Sequence, residues 1–324
     1  PRRTTAHHGA PRRTGDWSKK YGYTPKTRPL VATTLRNDDE RGVKRGERSV
    51  ASWKMELDMD LGLKGQTGIV TGASRGIGRA IAHALHAEGV ALIIVGQTPD
   101  TLEKAARGIA GSTRSTTSAP IHPIVADLSL RAEVERVAKE SIARLGQVDI
   151  LVNNAARART GSFFDMSDGD VQDVWQVKAL GYVRLVRALA PHMMERRQGC
   201  IINITGSTAR TPTEDFVVGS MVNAALVSFT RGISRELARH NVRINSISPG
   251  WTLTEQQARS FEMQAAAQGL TSDEVQRRVA RAIPLNRLVT TEEIATLAVL
   301  LASGKLPGLT GEDILIDGGA TTAI

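Results

Sequence analysis

Short apolar runs alternate with helical segments along most of this chain. From Leu61 onward, runs of Val, Ile and Leu recur that are too short for helices, and longer stretches with apolar residues at helical spacing separate them. Near-continuous apolar runs are typical of parallel strands that helices cover on both faces. Because each strand–helix–strand unit makes a right-handed crossover, the pattern predicts a three-layer α/β sandwich with a doubly wound parallel sheet.

The boundaries of these elements follow from the same pattern. Strands are predicted at residues 68–71, 91–95, 121–126, 149–153, 200–205, 243–248 and 313–316. Helices are predicted at 77–85, which Gly89 ends, at 130–145, which Gly146 ends, and at 170–197 and 220–239. No repeat or second hydrophobic pattern indicates another domain, so residues 55–324 are predicted to form a single domain.

The excess positive charge lies entirely in residues 1–54. This stretch holds 14 lysines and arginines against 5 acidic residues, whereas the remaining 270 residues hold 28 of each sign. It lacks hydrophobic periodicity, so it is predicted to be a disordered basic tail, or sequence upstream of the true start, since Met55 is the first methionine. A basic arm for nucleic acid is the alternative, and only composition favours it; we therefore expect no nucleic-acid partner.

Composition argues against a disulfide-linked, a membrane-spanning and a metal-binding protein. Cys200 is the single cysteine, which excludes an intramolecular disulfide and favours a reducing, cytoplasmic location. No apolar run reaches the ~18 residues of a membrane span, so no membrane association is expected. His, Cys and acidic residues lack the spacing of metal ligands, so no metal site is predicted.

A glycine-rich turn stands directly between the first strand and the first helix. It reads Thr-Gly-Ala-Ser-Arg-Gly-Ile-Gly over residues 71–78. Gly72 permits the tight turn, Gly76 lets the backbone approach a pyrophosphate, and Gly78 allows close helix–strand packing. The helix start offers unpaired N–H groups and its positive dipole end to a phosphate. This context predicts a dinucleotide-binding site.

The turn resembles the cofactor loop of the short-chain dehydrogenase/reductase family. Asp127 in ADLS, Asn153 in NNAA, the NSISPG run at 245–250 and the DGG at 317–319 stand in that family's order and spacing. The resemblance covers residues 61–320. It implies a Rossmann fold, NAD(P) as the cofactor, a small-molecule carbonyl or alcohol substrate, and a homodimer or homotetramer that pairs the helices at 170–197 and 220–239.

The resemblance also implies which residues bind the cofactor. Asp127 would face the adenine, residues 153–155 would line the ribose, and residues 249–254 would close over the nicotinamide, with a substrate lid at 252–281. For Asn153, tying neighbouring strands together is a second role. The full candidate set is Gly72, Ser74, Arg75, Gly76, Ile77, Gly78, Asp127, Leu128, Asn153, Ala155, Pro249, Gly250, Thr252 and Thr254.

The end of the second strand bears on the choice between NAD and NADP. An acidic side chain there would bond the ribose 2′-hydroxyl and select NAD. This chain has Gly-Gln-Thr at 96–98, with neither that acid nor an arginine. Arg75 in the turn could pair with a 2′-phosphate, or it could be a solvated loop charge. We favour NADP, with NAD as the alternative.

The family's proton-transfer residues are replaced. Members of the family transfer protons with a tyrosine, a lysine, a serine and an asparagine that holds a relay water. When the family pattern is aligned to this chain without gaps, the first three positions hold Gly219, Asn223 and Gly206. The asparagine position holds Lys178. A shifted frame does not recover them, because the tyrosines stand at 21, 23 and 182 and no lysine lies between residues 178 and 305. Phe216, three residues before Gly219, is expected to refill part of the opened space.

Three residues remain as candidate catalytic groups: Lys178, Ser220 and Asn223. Lys178 could send its ammonium toward the nicotinamide, or it could be a surface lysine on an exposed helix face. Ser220 could orient a bound polar group, or it could cap the start of its helix. The chain is therefore predicted to be an NAD(P)-dependent oxidoreductase with a non-standard active site; the alternative is a cofactor-binding pseudoenzyme that acts as a structural or regulatory subunit.

Overall fold

The computed structural model describes residues 60–112 and 118–322. In these residues the seven strands form one parallel sheet: β1 (Thr67–Thr71), β2 (Ala91–Gly96), β3 (Ile121–Val125), β4 (Ile150–Asn153), β5 (Gly199–Ile204), β6 (Val242–Pro249) and β7 (Asp313–Ile316). All seven strand predictions are confirmed to within one residue at each end. The predicted tail at 1–54 and the domain boundary after it lie outside the described residues.

Nine α-helices connect or follow the described strands. They are α1 (Gly76–Ala87), α2 (Pro99–Ala110), α3 (Arg131–Leu145), α4 (Asp168–Val174), α5 (Gly181–Arg196), α6 (Val217–Arg239), α7 (Glu255–Gln268), α8 (Ser272–Arg281) and α9 (Thr291–Ala302). Three-residue 3₁₀ turns occur at Phe163–Asp165 and Ser207–Ala209. None of these helices is long and apolar enough to cross a lipid bilayer.

The sheet is covered on both faces, as the apolar runs predict. Alternate residues of a strand point to opposite faces. Val70 of β1 therefore packs with α1, α2 and α9, whereas its neighbour Ile69 packs with α3, α5 and α6. Both residues are fully buried. The predicted three-layer, doubly wound α/β architecture is confirmed.

The order of the strands places a crevice at the carboxyl ends of the central strands. The order is β3-β2-β1-β4-β5-β6-β7, so successive strands are added on one side of β1 up to β3 and on its other side from β4 onward. Where the direction of winding reverses, the connections leave β1 and β4 toward opposite faces. The carboxyl ends of these two strands therefore flank an open crevice, the usual ligand site of such sheets.

Two helix predictions need correction. The helix predicted at 170–197 is interrupted by a π-helical turn at Trp175–Leu180, between α4 and α5. Such turns carry one extra residue per turn and often mark functional sites. The helix predicted at 220–239 begins at Val217 instead, so Ser220 lies inside the first turn of α6 and does not cap it. The expected lid at 252–281 contains two helices, α7 and α8.

Candidate active site

A large open cleft begins at the carboxyl ends of β1, β2, β4 and β5 and continues along α1, α2 and α9. Its volume is about 1830 Å³, above the roughly 300–1,000 Å³ typical of small-ligand pockets. Eight of the predicted cofactor residues line it: Gly72, Ser74, Arg75, Gly76, Ile77, Leu128, Ala155 and Thr254. The other six lie outside the lining: Gly78, Asp127, Asn153, Pro249, Gly250 and Thr252. Of the candidate catalytic residues, Lys178 alone reaches the cleft.

The glycine-rich turn has a backbone that side chains would not tolerate. Gly72 and Gly76 have φ angles of +65° and +54°, in the left-handed region. A Cβ on Gly78 would lie 2.4 Å from both the carbonyl oxygen of Gly72 and the Nδ2 atom of Asn154. The turn is therefore as compact as the glycine spacing predicts, and it leaves its backbone open to the cleft.

Asn154 ties this turn to the end of β4. Its Nδ2 donates hydrogen bonds to the carbonyl oxygens of Thr71 (3.0 Å) and Gly72 (3.2 Å). In return, the hydroxyl of Thr71 accepts from the backbone N–H groups of Asn154 and Ala155 at 2.8 and 3.1 Å. The turn is thus fixed before any ligand binds. The sequence analysis placed Asn154 in the stretch that would line the ribose and did not foresee its bonds to the turn.

The start of α1 already binds an anionic group. The backbone N–H of Gly76 donates to Oε2 of Glu255 at 3.1 Å, and the other carboxylate oxygen pairs with Arg79. Burial acts to raise the pKa of Glu255, but backbone hydrogen bonds from its own N–H and Gly76, together with the charge of Arg79, bring that pKa below its ordinary value. The carboxylate occupies the kind of position that a phosphate takes at a helix N-terminus.

This arrangement fits a dinucleotide pyrophosphate. The glycines keep the turn free of side chains, and the helix start accepts a negative charge, for which the Glu255 carboxylate stands in. Glu255 was not predicted. Its position directly after Thr254, at the first residue of α7, is the only signal in the sequence that could have drawn attention to it.

The predicted adenine end is bordered by β2 and β3. A Cβ on Gly96 would lie 2.4 Å from the Oγ atom of Ser74. The absence of a side chain at this end of β2 therefore lets the glycine-rich turn pack against it. Asp127 accepts from the backbone N–H of Ser129 (2.9 Å) and from Arg157 (3.2 Å). Burial acts to raise the pKa of Asp127, and the bonds from Ser129 and the charge of Arg157 lower it overall.

Arg75 projects from the turn into solvent. Its side chain is exposed, and it forms no ion pair with any residue in 60–112 or 118–322. A free guanidinium at the mouth of the cleft is available to an anionic group of a ligand.

Asn153 belongs to a buried chain of amides. Its Nδ2 donates to Oδ1 of Asn203 at 2.9 Å, and Nδ2 of Asn203 donates to the hydroxyl of Thr230, also at 2.9 Å. This chain ties β4 to β5 and to α6, which is the second role considered for Asn153. Its Oδ1 has no hydrogen-bond partner among the described residues.

The loop after β6 is held by internal hydrogen bonds. The hydroxyl of Thr252 donates to the carbonyl oxygen of Gly250 at 2.9 Å, and that of Thr254 accepts from the backbone N–H of Gln257 as the cap of α7. A Cβ on Gly250 would lie 2.6 Å from the Cβ of Asp317, so the terminal DGG motif packs under this loop. Pro249 ends β6.

Lys178 and Asn223 meet at the inner end of the cleft. The Nζ atom of Lys178, on the π-helical turn, donates to Oδ1 of Asn223 at 2.7 Å and to the carbonyl oxygen of Thr205 at 3.0 Å. Burial lowers the pKa of Lys178 to about 8. Lys178 is therefore not a surface lysine, which was the alternative in the sequence analysis.

Gly219, which the family resemblance aligns with the tyrosine, is covered by an aromatic ring. A Cβ on Gly219 would lie only 2.1 Å from the Cζ atom of Phe216, so the phenyl ring covers this glycine as expected. The hydroxyl of Ser220 donates to the carbonyl oxygen of Phe216 at 2.8 Å, within its own helix turn. A Cβ on Gly206, which the family resemblance aligns with the serine, would lie 2.6 Å from Nδ2 of Asn223. Phe216 and Asn223 thus occupy the space that the two glycines open.

The chain is similar to several known oxidoreductases. The model of a family described as Enoyl-(Acyl carrier protein) reductase matches residues 72–321. The chain is 35% identical over 262 residues to oxidoreductase UcpA of Escherichia coli K12, which covers 80% of the chain and 95% of that protein. It is 29% identical over 263 residues to 2,3-dihydro-2,3-dihydroxybenzoate dehydrogenase of Bacillus subtilis, which covers 81% and 98%.

A solved structure shows the same likeness. The L-sorbose reductase of Gluconobacter frateurii, complexed with NADPH and L-sorbose, superposes with a TM-score of 0.78 at 28% identity, covering 82% of this chain and 100% of the reductase. The fold and its likeness to reductases and dehydrogenases therefore extend over the whole sheet.

Proposed function

Because the chain belongs to the short-chain dehydrogenase/reductase family, we propose that it is an NAD(P)-dependent oxidoreductase that interconverts carbonyl and alcohol groups of a small-molecule substrate with a non-standard active site. The observation that carries the proposal is the continuity of one cleft. It joins a glycine turn that seats a carboxylate at the start of α1 to the ammonium of Lys178 at its inner end.

The cofactor would lie along the carboxyl edge of the sheet. Backbone groups of Gly72, Gly76 and Ile77, with Ser74 and the close packing at Gly78, would hold the pyrophosphate. Asp127 and Leu128 would border the adenine, Asn153 and Ala155 the ribose, and Pro249, Gly250, Thr252 and Thr254 the nicotinamide end. When bound, the nicotinamide supplies the hydride. Of the candidate catalytic residues, Lys178 would act at the substrate with Asn223 beside it, whereas Ser220 would serve the helix backbone to which it is bonded.

We favour NADP over NAD. The exposed guanidinium of Arg75 supports this preference, because it is available to a 2′-phosphate, and no acidic side chain stands at the end of β2 to bind a 2′-hydroxyl. Similar proteins support it as well: the L-sorbose reductase was solved with NADPH, and a relative in Bacillus subtilis that is 28% identical is described as NADPH-dependent reductase BacG.

A direct test uses the purified full-length chain. NADPH and NADH are titrated while their fluorescence is followed, and a panel of ketones, aldehydes and sugars is then added with loss of reduced cofactor as the readout. We expect saturable binding, tighter for NADPH, and consumption with at least one carbonyl class. Absence of binding by either nucleotide would contradict the proposal.

A cofactor-binding pseudoenzyme is the second candidate function. The phenyl ring of Phe216 over Gly219 supports it, because that space then holds no proton donor. Binding of NADPH with no consumption across the panel would favour this candidate. The two functions therefore differ in turnover and not in cofactor binding.

Two further properties belong to this proposal. We propose self-association as a homodimer or homotetramer through the helices at 170–197 and 220–239, where Met221 of α6 is exposed, and light scattering of the purified chain tests it. We propose a cytoplasmic location, which the free, buried thiol of Cys200 supports.

A further inference from the structure

Lys178 has one N–H group left for a ligand. An ammonium carries three N–H donors. Two of them are used by the carbonyl oxygen of Thr205 and by Oδ1 of Asn223. Since Lys178 also lines the cleft, the third is available on the side where a substrate would lie.

No carboxylate among the described residues pairs with this ammonium. The charged groups of the surrounding elements are held elsewhere: Asp173 of α4 by Arg157, Arg184 of α5 by Gln176 and the carbonyl of Ser129, and Arg210 after the 3₁₀ turn by Asp313. On α6, the charged residues begin at Arg231, two turns beyond Asn223. Burial therefore disfavours the charged form of Lys178, and no nearby negative charge in the described part of the chain offsets this effect. The pKa of Lys178 is thereby lowered to about 8, so its proton is released more readily than that of an exposed lysine.

Three neighbouring side chains, those of Phe216, Ser220 and Tyr182, are unsuited to give a proton. The ring of Phe216 fills the space over Gly219, and the hydroxyl of Ser220 is turned to its own helix backbone. Tyr182 donates its hydroxyl to the carbonyl oxygen of Ile204, and burial raises its pKa well above the ordinary value. Among the described residues at this end of the cleft, Lys178 is the group suited to proton transfer.

Asn223 is held in the orientation that Lys178 needs. Its Nδ2 donates to the hydroxyl of Thr208 at 2.9 Å, which leaves Oδ1 to face the ammonium. The bare Gly206 makes room for this carboxamide, since a Cβ there would lie 2.6 Å from Nδ2. The amide cannot turn over without losing both bonds.

Resting on the oxidoreductase function proposed above, we propose that Lys178 is the general acid–base residue of this enzyme and that Asn223 is the residue that positions it. In the reducing direction, the hydride for the carbonyl carbon would come from a nicotinamide held in the cleft. The oxygen takes a proton from Nζ, so one N–H bond breaks and one O–H bond forms. The neutral amine then regains a proton from solvent, and the reverse sequence oxidises an alcohol.

The experiment compares wild type with Lys178→Met, Lys178→Arg and a matched surface control, Lys139→Met on α3, in the full-length chain. NADPH affinity and kcat are measured with a carbonyl that wild type reduces. We expect Lys178→Met to lower kcat by ~10²–10⁴, the usual loss for a general acid, while the control keeps wild-type kcat. Wild-type reduction is expected to slow as pH rises through about 8. A Lys178→Met enzyme within tenfold of wild-type kcat would overturn the inference.

A second readout needs no turnover. The lysine side-chain NMR signals of the cofactor-free protein are followed from pH 6 to 11, roughly the range over which buried and exposed lysines titrate. We expect one signal, absent from Lys178→Met, to titrate near pH 8. Titration of that signal with the exposed lysines would overturn the inference.

Asn223 is tested by Asn223→Asp and Asn223→Leu. The aspartate keeps an acceptor but adds a negative charge, so it should move the alkaline limit of kcat, and the NMR titration of Lys178, to higher pH. The leucine removes the acceptor and should lower kcat without the alkaline shift. A purely structural Asn223 would change stability and leave the pH dependence in place, which would contradict its positioning role.

The outcomes separate this inference from the function it rests on. Turnover that survives in Lys178→Met removes the proton role and leaves the oxidoreductase function standing. NADPH binding without turnover in wild type overturns the proton role and favours the pseudoenzyme. Failure to bind either nucleotide removes the proposed function itself.

Discussion

The carboxylate of Glu255 accepts a hydrogen bond from the backbone N–H of Gly76 at 3.1 Å. The bond joins α7, the first helix of the expected lid, to the start of α1. A pyrophosphate that binds to the glycine turn has to compete with this carboxylate for the same N–H group. The carboxylate of Glu255 therefore occupies part of the proposed cofactor site when no cofactor is bound.

Glu255→Gln is expected to tighten NADPH binding by roughly three- to tenfold, because it removes a like charge that repels the phosphates; this corresponds to roughly 1 kcal/mol at a helix N-terminus. Isothermal titration calorimetry measures it. Glu262→Gln, on an exposed position of the same helix, serves as the control. Weaker binding by Glu255→Gln would show instead that the carboxylate supports the cofactor.

Gly78→Ala should weaken NADPH binding at least tenfold and lower the Tm. The added Cβ would lie 2.4 Å from two atoms that are fixed by hydrogen bonds, the carbonyl oxygen of Gly72 and Nδ2 of Asn154. Gly232→Ala is the matched control, since a Cβ there would meet no described atom within 4 Å beyond its own stretch of helix, and alanine favours the helix by about 1 kcal/mol. Equal effects of the two substitutions would contradict the packing role of Gly78.

Arg75→Ala should raise the Kd for NADPH about tenfold and leave that for NADH unchanged. Loss of a charged hydrogen bond to a 2′-phosphate is worth roughly 1.5 kcal/mol or more. The ratio of the two dissociation constants provides an internal control. A parallel loss for both nucleotides would place Arg75 on the pyrophosphate, and no loss for either would leave it a solvated charge.

Asp149→Ala should destabilise the fold by about 3–5 kcal/mol, the usual result of breaking a buried pair. Asp149 is 2% exposed; its Oδ2 accepts from the backbone N–H and the hydroxyl of Thr67, each at 3.0 Å, and Oδ1 pairs with Arg196. Denaturant unfolding measures the loss. Asp215→Ala, in an exposed loop, should change stability by less than about 0.5 kcal/mol.

Restoring the family's pair as Gly219→Tyr with Asn223→Lys should fail to raise turnover, because the new Cβ at residue 219 would lie 2.1 Å from the ring of Phe216. Adding Phe216→Ala clears that space. We expect the double variant to lose stability and the triple variant to recover part of it, as followed by Tm. Full stability of the double variant would show that the ring moves freely.

The strands and the turn could be predicted from local signals. Lys178 and Asn223 were named from the family resemblance, but the contact between them could not be predicted. Val70 and Ile94 belong to apolar runs that only a covered strand explains, and the glycines at 72, 76 and 78 follow a strand directly. The contact between Lys178 and Asn223 joins residues 45 positions apart, and it depends on a π-helical turn that has no sequence signature. The same is true of Glu255, which lies 179 positions from Gly76.

Glu255 stands on the same helix as Phe261, which packs in a small apolar cluster with Val275 of α8. A nucleotide that displaces the carboxylate also releases one end of that helix, on the flank where a substrate would enter. The coupling free energy between two binding sites is the same in both directions. We therefore expect the nucleotide and the substrate to change each other's affinity by the same factor.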